Sequence, residues 1–106
     1  MIKVITLVPT HRNDGSPVSE SEWNGIIQRF WIKFGGVTVA GQTEGHWVDP
    51  ESGTLYRDVC WQVFIIIEDN LLSEAEEFVA GLGRQLGQLA MYFEVQRPDI
   101  RFLETK

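Results

Sequence analysis

Apolar positions along the chain switch between two-residue and helical spacing, and each switch falls at a turn or cap signal. From Ile2 to Val8, apolar side chains fill both sides of an alternating pattern, with Ile2, Val4 and Val8 set against Ile5 and Leu7. A run of this kind predicts a strand covered on both faces and central in its sheet. Thr10 to Pro17 is a polar loop with a turn at Asp14-Gly15. Ser19 and Glu22 have capping-box spacing, and Val18 and Trp23 sit where a hydrophobic staple belongs. Trp23, Ile26, Ile27, Phe30 and Phe34 then recur on one helical face, with Trp31 widening the stripe, until Gly35-Gly36 ends the helix.

Val37 to Val48 reads as a strand interrupted by Gly41 and Gly45, the signature of a bulge or of close backbone approach. After the turn Asp49 to Gly53, the longest alternation in the chain runs from Thr54 to about Glu68, and its block Phe64-Ile65-Ile66-Ile67 predicts a second central strand. Ser73 to Glu76 repeats the capping pattern ahead of a second helix whose apolar face is Ala75, Phe78, Val79, Leu82 and Leu86. Leu89 to Gln96 alternates as an edge strand, closed by Arg97-Pro98. The order strand, helix, strand, strand, helix, strand predicts a single α+β domain over residues 1–106, a ferredoxin-like βαββαβ sandwich. Its four-stranded antiparallel sheet takes the order 4-1-3-2 with both helices on one face. The predicted core is Trp23, Ile27, Phe30, Trp61, Val63, Ile65, Phe78, Leu82 and Phe93.

Composition narrows the function classes. A length of 106 residues suits one core, and a hydrophobic fraction of 43% excludes a disordered chain. The net charge of -6 repels a phosphate backbone and disfavours nucleic acid as a partner. The single cysteine, Cys60, forms no internal disulfide and has no second Cys for a zinc cluster. The N-terminal apolar stretch is strand-like and too short for a signal peptide, and no membrane span is predicted, so a cytoplasmic location is expected. No phosphate loop follows a strand, since Gly81 and Gly83 fall in a helical pattern; no cofactor and no metal ligand set is predicted.

Candidate chemistry lies on the sheet face that the helices leave open. Alternation in the third strand sends Val59, Trp61, Val63, Ile65 and Ile67 toward the helices, and Tyr56, Asp58, Cys60, Gln62, Phe64 and Ile66 to the open face. Regular alternation in the second strand puts Val37, Val39 and Trp47 inward and Thr38, Gln42, Glu44 and His46 outward. The fourth strand adds Tyr92 and Glu94. His46 with Glu44 and Asp58 is then a candidate acid/base group or metal site, because imidazole titrates near neutrality and adjacent carboxylates make it more basic. Tyr92 is a further catalytic candidate. The alternative is a set of solvated or cross-strand-paired side chains. Cys60 is either a nucleophile or an inert thiol. Tyr56, Cys60, Gln62, Phe64, Ile66 and Glu94 make up the predicted binding or interface surface.

The segments Asp14-Gly15-Ser16-Pro17-Val18-Ser19 through Trp23, Gly36-Val37-Thr38-Val39, Gly45-His46-Trp47-Val48-Asp49, Tyr56-Arg57-Asp58 and Leu86-Gly87-Gln88 resemble a family of small bacterial proteins classed as a domain of unknown function. Asp58 stands where that pattern has Glu, and Cys60 where it has Ser. Members often carry an export leader; the strand-like N-terminus here predicts none. The resemblance implies a fold and carries no activity.

Two functions of different class follow. One is a noncatalytic interaction module that forms a homodimer through the open face, where Tyr56, Phe64, Ile66 and Tyr92 would otherwise expose an apolar patch. The other is a small enzyme of the dimeric α/β-barrel type, with a small molecule held in a cavity on that face. A flush surface supports the first and a cavity the second.

Overall fold

A computed structural model describes all 106 residues. Strand β1 (Ile2–Pro9) leads to helix α1 (Glu20–Phe34), the hairpin β2 (Thr38–Val48) and β3 (Leu55–Ile67), a single 3-10 turn (Asp69–Leu71), helix α2 (Leu72–Gln85) and strand β4 (Phe93–Gln96). The sheet is antiparallel in the order β2-β3-β1-β4, the expected 4-1-3-2 order counted from the other edge. Both helices pack on one face, as in a ferredoxin-like α+β sandwich. No helix is long and apolar enough to cross a membrane.

Helix α1 starts as its residues predict. The Glu22 amide donates to Ser19 Oγ at 3.1 Å, and the Ser19 amide donates to Glu22 Oε1 at 3.3 Å. Arg12 pairs with Glu22 and also donates to the Pro17 carbonyl at 3.0 Å, which ties the preceding loop to the helix. Gly35, at φ 84°, closes the helix in a left-handed conformation open to glycine at no steric cost.

The core centre lies where β1, β3 and the two helices meet. Ile2, Val4 and Val8 of β1 pack with Val63, Ile65 and Ile67 of β3, Ile26 and Phe30 of α1, and Ala75 and Leu82 of α2. Trp23, Ile27, Phe78 and Phe93 are half-buried around that centre, and Trp61 stacks on Trp23 at 5.3 Å between ring centroids. Trp31 is 49% exposed, so the α1 stripe is narrower than its composition suggested.

Three local expectations are corrected. Ser73 does not cap α2: the 3-10 turn runs straight into the helix and Ser73 falls inside it. The Glu68 carbonyl instead accepts from the Leu71 amide at 3.0 Å at the start of that turn. Strand β4 begins at Phe93 rather than Leu89. The Thr6 hydroxyl donates to the Tyr92 carbonyl at 2.7 Å, and Met91 packs so close to Gly83 that a Cβ there would lie 2.6 Å from Met91 Cγ. Side-chain anchoring thus replaces the ladder over the four residues before β4.

The third correction concerns β2. Its register with β3 shifts between Val39 and Gly41, leaving Ala40 surplus, with Gly41 at φ 119°. Before the shift Thr38 lies opposite Phe64 and Val39 opposite Val63; after it Thr43 meets Cys60, Gly45 meets Asp58 and Trp47 meets Tyr56. Directly paired residues share a face, so the extra residue reverses every later position. Trp47 is therefore on the open face, and Gln42, Glu44 and His46 are on the other.

Strand β1 pairs with β3 only from Ile67 to Cys60. Beyond Cys60 the hairpin continues as a two-stranded arm, and the molecule measures 55 × 30 × 24 Å.

Candidate functional site

The register sets the open face in rows. Asp58 lies beside Gly45; Cys60 lies between Thr43 and Pro9; Gln62 lies between Gly41 and Leu7; Phe64 is flanked by Thr38 and Ile5, with Glu94 beyond Ile5. Above the middle of these rows is an open concavity of about 510 Å³. Its floor is Ile5, Leu7, Cys60 and Gln62, one wall is the base of the arm with Thr43, Trp47 and Asp58, and the other wall is the segment from Gln88 to Glu94.

The two walls are held differently. On the arm, the Trp47 indole Nε1–H donates to Asp58 Oδ2 at 2.7 Å, and the ring stacks on Tyr56 at 4.6 Å with an interplanar angle of 18°. That contact fixes one carboxylate oxygen and leaves Oδ1 without a partner in the chain. On the far wall, the Tyr92 hydroxyl donates to Glu94 Oε1 at 2.6 Å and the Gln96 amide donates to Oε2 at 2.8 Å. These two bonds, Tyr92's first, hold the Glu94 carboxyl below its usual range, and the same contact pushes the Tyr92 phenol up. Between the walls, burial and then the Asp58 charge push the Cys60 thiol up, so it stays protonated at neutral pH and does not present a thiolate.

Of the residues singled out from sequence, Asp58, Cys60, Gln62, Tyr92 and Glu94 converge on this cavity, and Glu44 touches its rim. Tyr56 stands just outside, behind Trp47. Phe64 and Ile66 lie beyond the cavity, in a separate shallow groove with Phe102, and the Lys3 ammonium sits 4.2 Å over the Phe64 ring. The His46, Glu44 and Asp58 cluster does not form. His46 Nε2 lies 2.7 Å from Glu44 Oε2, and Arg57 donates to Glu44 Oε1 at 2.6 Å, on the reverse face of the arm from Asp58. The Arg57 bond, followed by the His46 contact, holds the Glu44 carboxyl down to about 2. No three His, Cys, Asp or Glu side chains come together closely enough to hold a metal ion.

Sequence reasoning missed Thr43 and Trp47, which the bulge turns into the site. The pair Gly41 and Gly45 was the available signal. It also missed Gln88 and Met91, whose placement depends on tertiary anchoring.

The charged side chains that face the cavity are the acids Asp58 and Glu94; Glu44 meets it only at the rim, its carboxylate paired with Arg57 and His46 on the reverse face, and no Lys, Arg or His lines the cavity. The site therefore favours a cationic or neutral ligand and opposes a phosphate.

No family model matches the chain, and no curated protein matches it. A solved enzyme shares its fold. That structure, a phage SAM lyase in complex with S-methyl-5'-thioadenosine, superposes with a TM-score of 0.71 at 13% identity, over 90% of this chain and 79% of that one. The likeness establishes the architecture. It also corrects the expectation of a noncatalytic module, because this fold carries a lyase with a small molecule bound, and the open face here carries a cavity.

Proposed function

We propose that the chain is a small enzyme acting on a nucleoside thioether or on the sulfonium from which such a thioether is released. The observation that carries the reading is the open-face cavity of about 510 Å³, whose lining charges are carboxylates alone. A cavity of that size suits a ligand of nucleoside dimensions, and its charge favours a sulfonium over a phosphate ester. The shared fold with a SAM lyase that holds S-methyl-5'-thioadenosine supports the ligand class. A thioether of that kind is what a sulfonium leaves when one carbon–sulfur bond breaks and the bonding pair goes to sulfur.

The two carboxylates suit different roles. Glu94, with both oxygens occupied by Tyr92 and Gln96, is held as an anion and stabilises a positive centre electrostatically. Asp58, with one oxygen tied to Trp47 and one unengaged, suits a base that takes the proton from the carbon next to the one leaving sulfur, the C–H pair forming a double bond in the departing fragment as the C–S pair goes to sulfur. Tyr92 orients Glu94.

Incubating the protein with SAM and following S-methyl-5'-thioadenosine by chromatography tests the reading. Product should form, and Asp58→Asn should slow it by about 100-fold or more, the usual contribution of a positioned base. A wild-type chain that neither turns over SAM nor binds S-methyl-5'-thioadenosine in a calorimeter would overturn it.

A further inference from the structure

We infer that Gln62 reads the base of the ligand, pairing through its amide with the 6-amino and N7 edge of an adenine. This inference rests on the nucleoside reading of the cavity above and names the residue that sets its base specificity.

The hydrogen-bonding state of the lining sets Gln62 apart. Asp58 is engaged by Trp47, Tyr92 and Glu94 by each other, and the Gln88 amide by the Leu86 carbonyl at 3.3 Å. The Gln62 side-chain amide makes no hydrogen bond within the chain, yet the residue is half-buried on the central strand β3 at the cavity floor, and its polar atoms are not sealed off from the cavity. Asp58 Oδ1 and the Thr43 hydroxyl also lack a partner in the chain, but only the Gln62 amide offers an unpaired donor and an unpaired acceptor side by side on two atoms.

Its neighbours define the shape of that partner. On one side Leu7 supplies an apolar flank; on the other Gly41 has no side chain, and a Cβ built there would meet nothing within 4 Å. Ile5 and Ala90 extend the apolar lining. A flat, largely apolar ring fits this floor. The edge it must present is one acceptor next to one donor, the pattern that adenine offers at N7 and its 6-amino group and that a glutamine amide meets with two bonds. A carboxylate ligand is opposed by the Asp58 and Glu94 charges, and a hydroxyl alone would leave half of the amide unmet.

Two probes and one conservative variant decide the matter: S-methyl-5'-thioadenosine and its inosine counterpart, in which the 6-amino donor becomes a carbonyl acceptor, titrated calorimetrically into wild type and Gln62→Leu. Leucine matches glutamine in bulk and suits a strand beside Leu7, and a thermal melt confirms that the variant is folded. Wild type should prefer the adenosine compound by about 10-fold or more, the discrimination carried by a good bidentate base contact. Gln62→Leu should weaken that compound by a similar factor and bring the two ligands within about 2-fold of each other, because both hydrogen bonds go with the amide. A wild type that binds both compounds equally, or a folded Gln62→Leu that keeps the preference, overturns the inference and leaves the enzyme reading standing. A wild type that binds neither compound overturns the inference, and overturns the enzyme reading as well if SAM is not turned over.

Discussion

Trp47 and Asp58 meet across the arm at 2.7 Å, indole to carboxylate, and they share a face because Ala40 is surplus to the ladder between β2 and β3. Deleting Ala40 should therefore leave Gly41 opposite Gln62 and Trp47 opposite Tyr56, in a straighter strand. The proton NMR contact between the Trp47 and Tyr56 rings should persist in the deletion variant. Its disappearance, with Trp47 moved to the reverse face, would show that the ladder is regular in the wild type.

Gly45 faces Asp58 with an ordinary backbone conformation, and a Cβ there would meet nothing within 4 Å. Gly45→Val should fold normally, since valine suits a strand, while placing methyl groups at the cavity wall beside Asp58. Affinity for S-methyl-5'-thioadenosine should fall by about 10-fold or more, given the cost of overpacking a site. Unchanged affinity with an unchanged melting temperature would place the ligand elsewhere.

The contact between Gly83 and Met91 holds the far wall. Gly83→Ala should cost about 1–3 kcal/mol, because the added methyl must displace the base of the Met91 side chain. Met91→Ala removes the clash, so the double variant should be more stable than the sum of the two single changes. Denaturant melts of all four proteins give that coupling directly; strict additivity would contradict the close approach.

Glu94 contributes its charge above its depressed pKa and loses it as pH falls through that value, so affinity for a sulfonium should hold to a pH below the ordinary carboxylate range. Tyr92→Phe removes the larger of the two hydrogen bonds that depress it. The acid limb of binding should then move to higher pH. Calorimetric titration at a series of pH values reads the shift, and coincident acid limbs in the two proteins would remove Glu94 from the site.

Phe30 is 1% exposed and its ring packs on Phe78 at 4.8 Å, whereas Trp61 is only half-buried. Phe30→Ala should cost about 3–5 kcal/mol. Trp61→Ala should cost less, losing partial burial and a stack on Trp23 worth about 1 kcal/mol. Equal drops in the melting midpoint would place Trp61 at the core centre.

What could be read from the sequence follows from which interactions are local. The capping box at Ser19 and the two-sided apolar pattern of β1 lie within single segments, and the four-strand order follows from them. Period-two alternation named Asp58, Cys60 and Gln62 for the open face because β3 runs without a bulge. The same rule misplaced Glu44, His46 and Trp47, since one surplus residue inverts parity and Gly41 flags a bulge without counting it. The Ser73 cap and the early start of β4 failed for another reason. A 3-10 turn displaced the first, and anchors at Thr6 and Gly83, far away in the chain, displaced the second.

The arm beyond Cys60 gives the cavity two jaws of unequal stiffness. The jaw from Gln88 to Glu94 is bolted to the interior through Thr6, which is 2% exposed. The opposing jaw, with Trp47 and Asp58, rides on a ribbon of only two strands, the least supported form a sheet can take. Bending that ribbon changes the gap between Asp58 and Glu94 without breaking a core contact. On the proposed reading the ligand is gripped by flexing one side, and amide hydrogens along the arm should exchange with solvent sooner than those of β1.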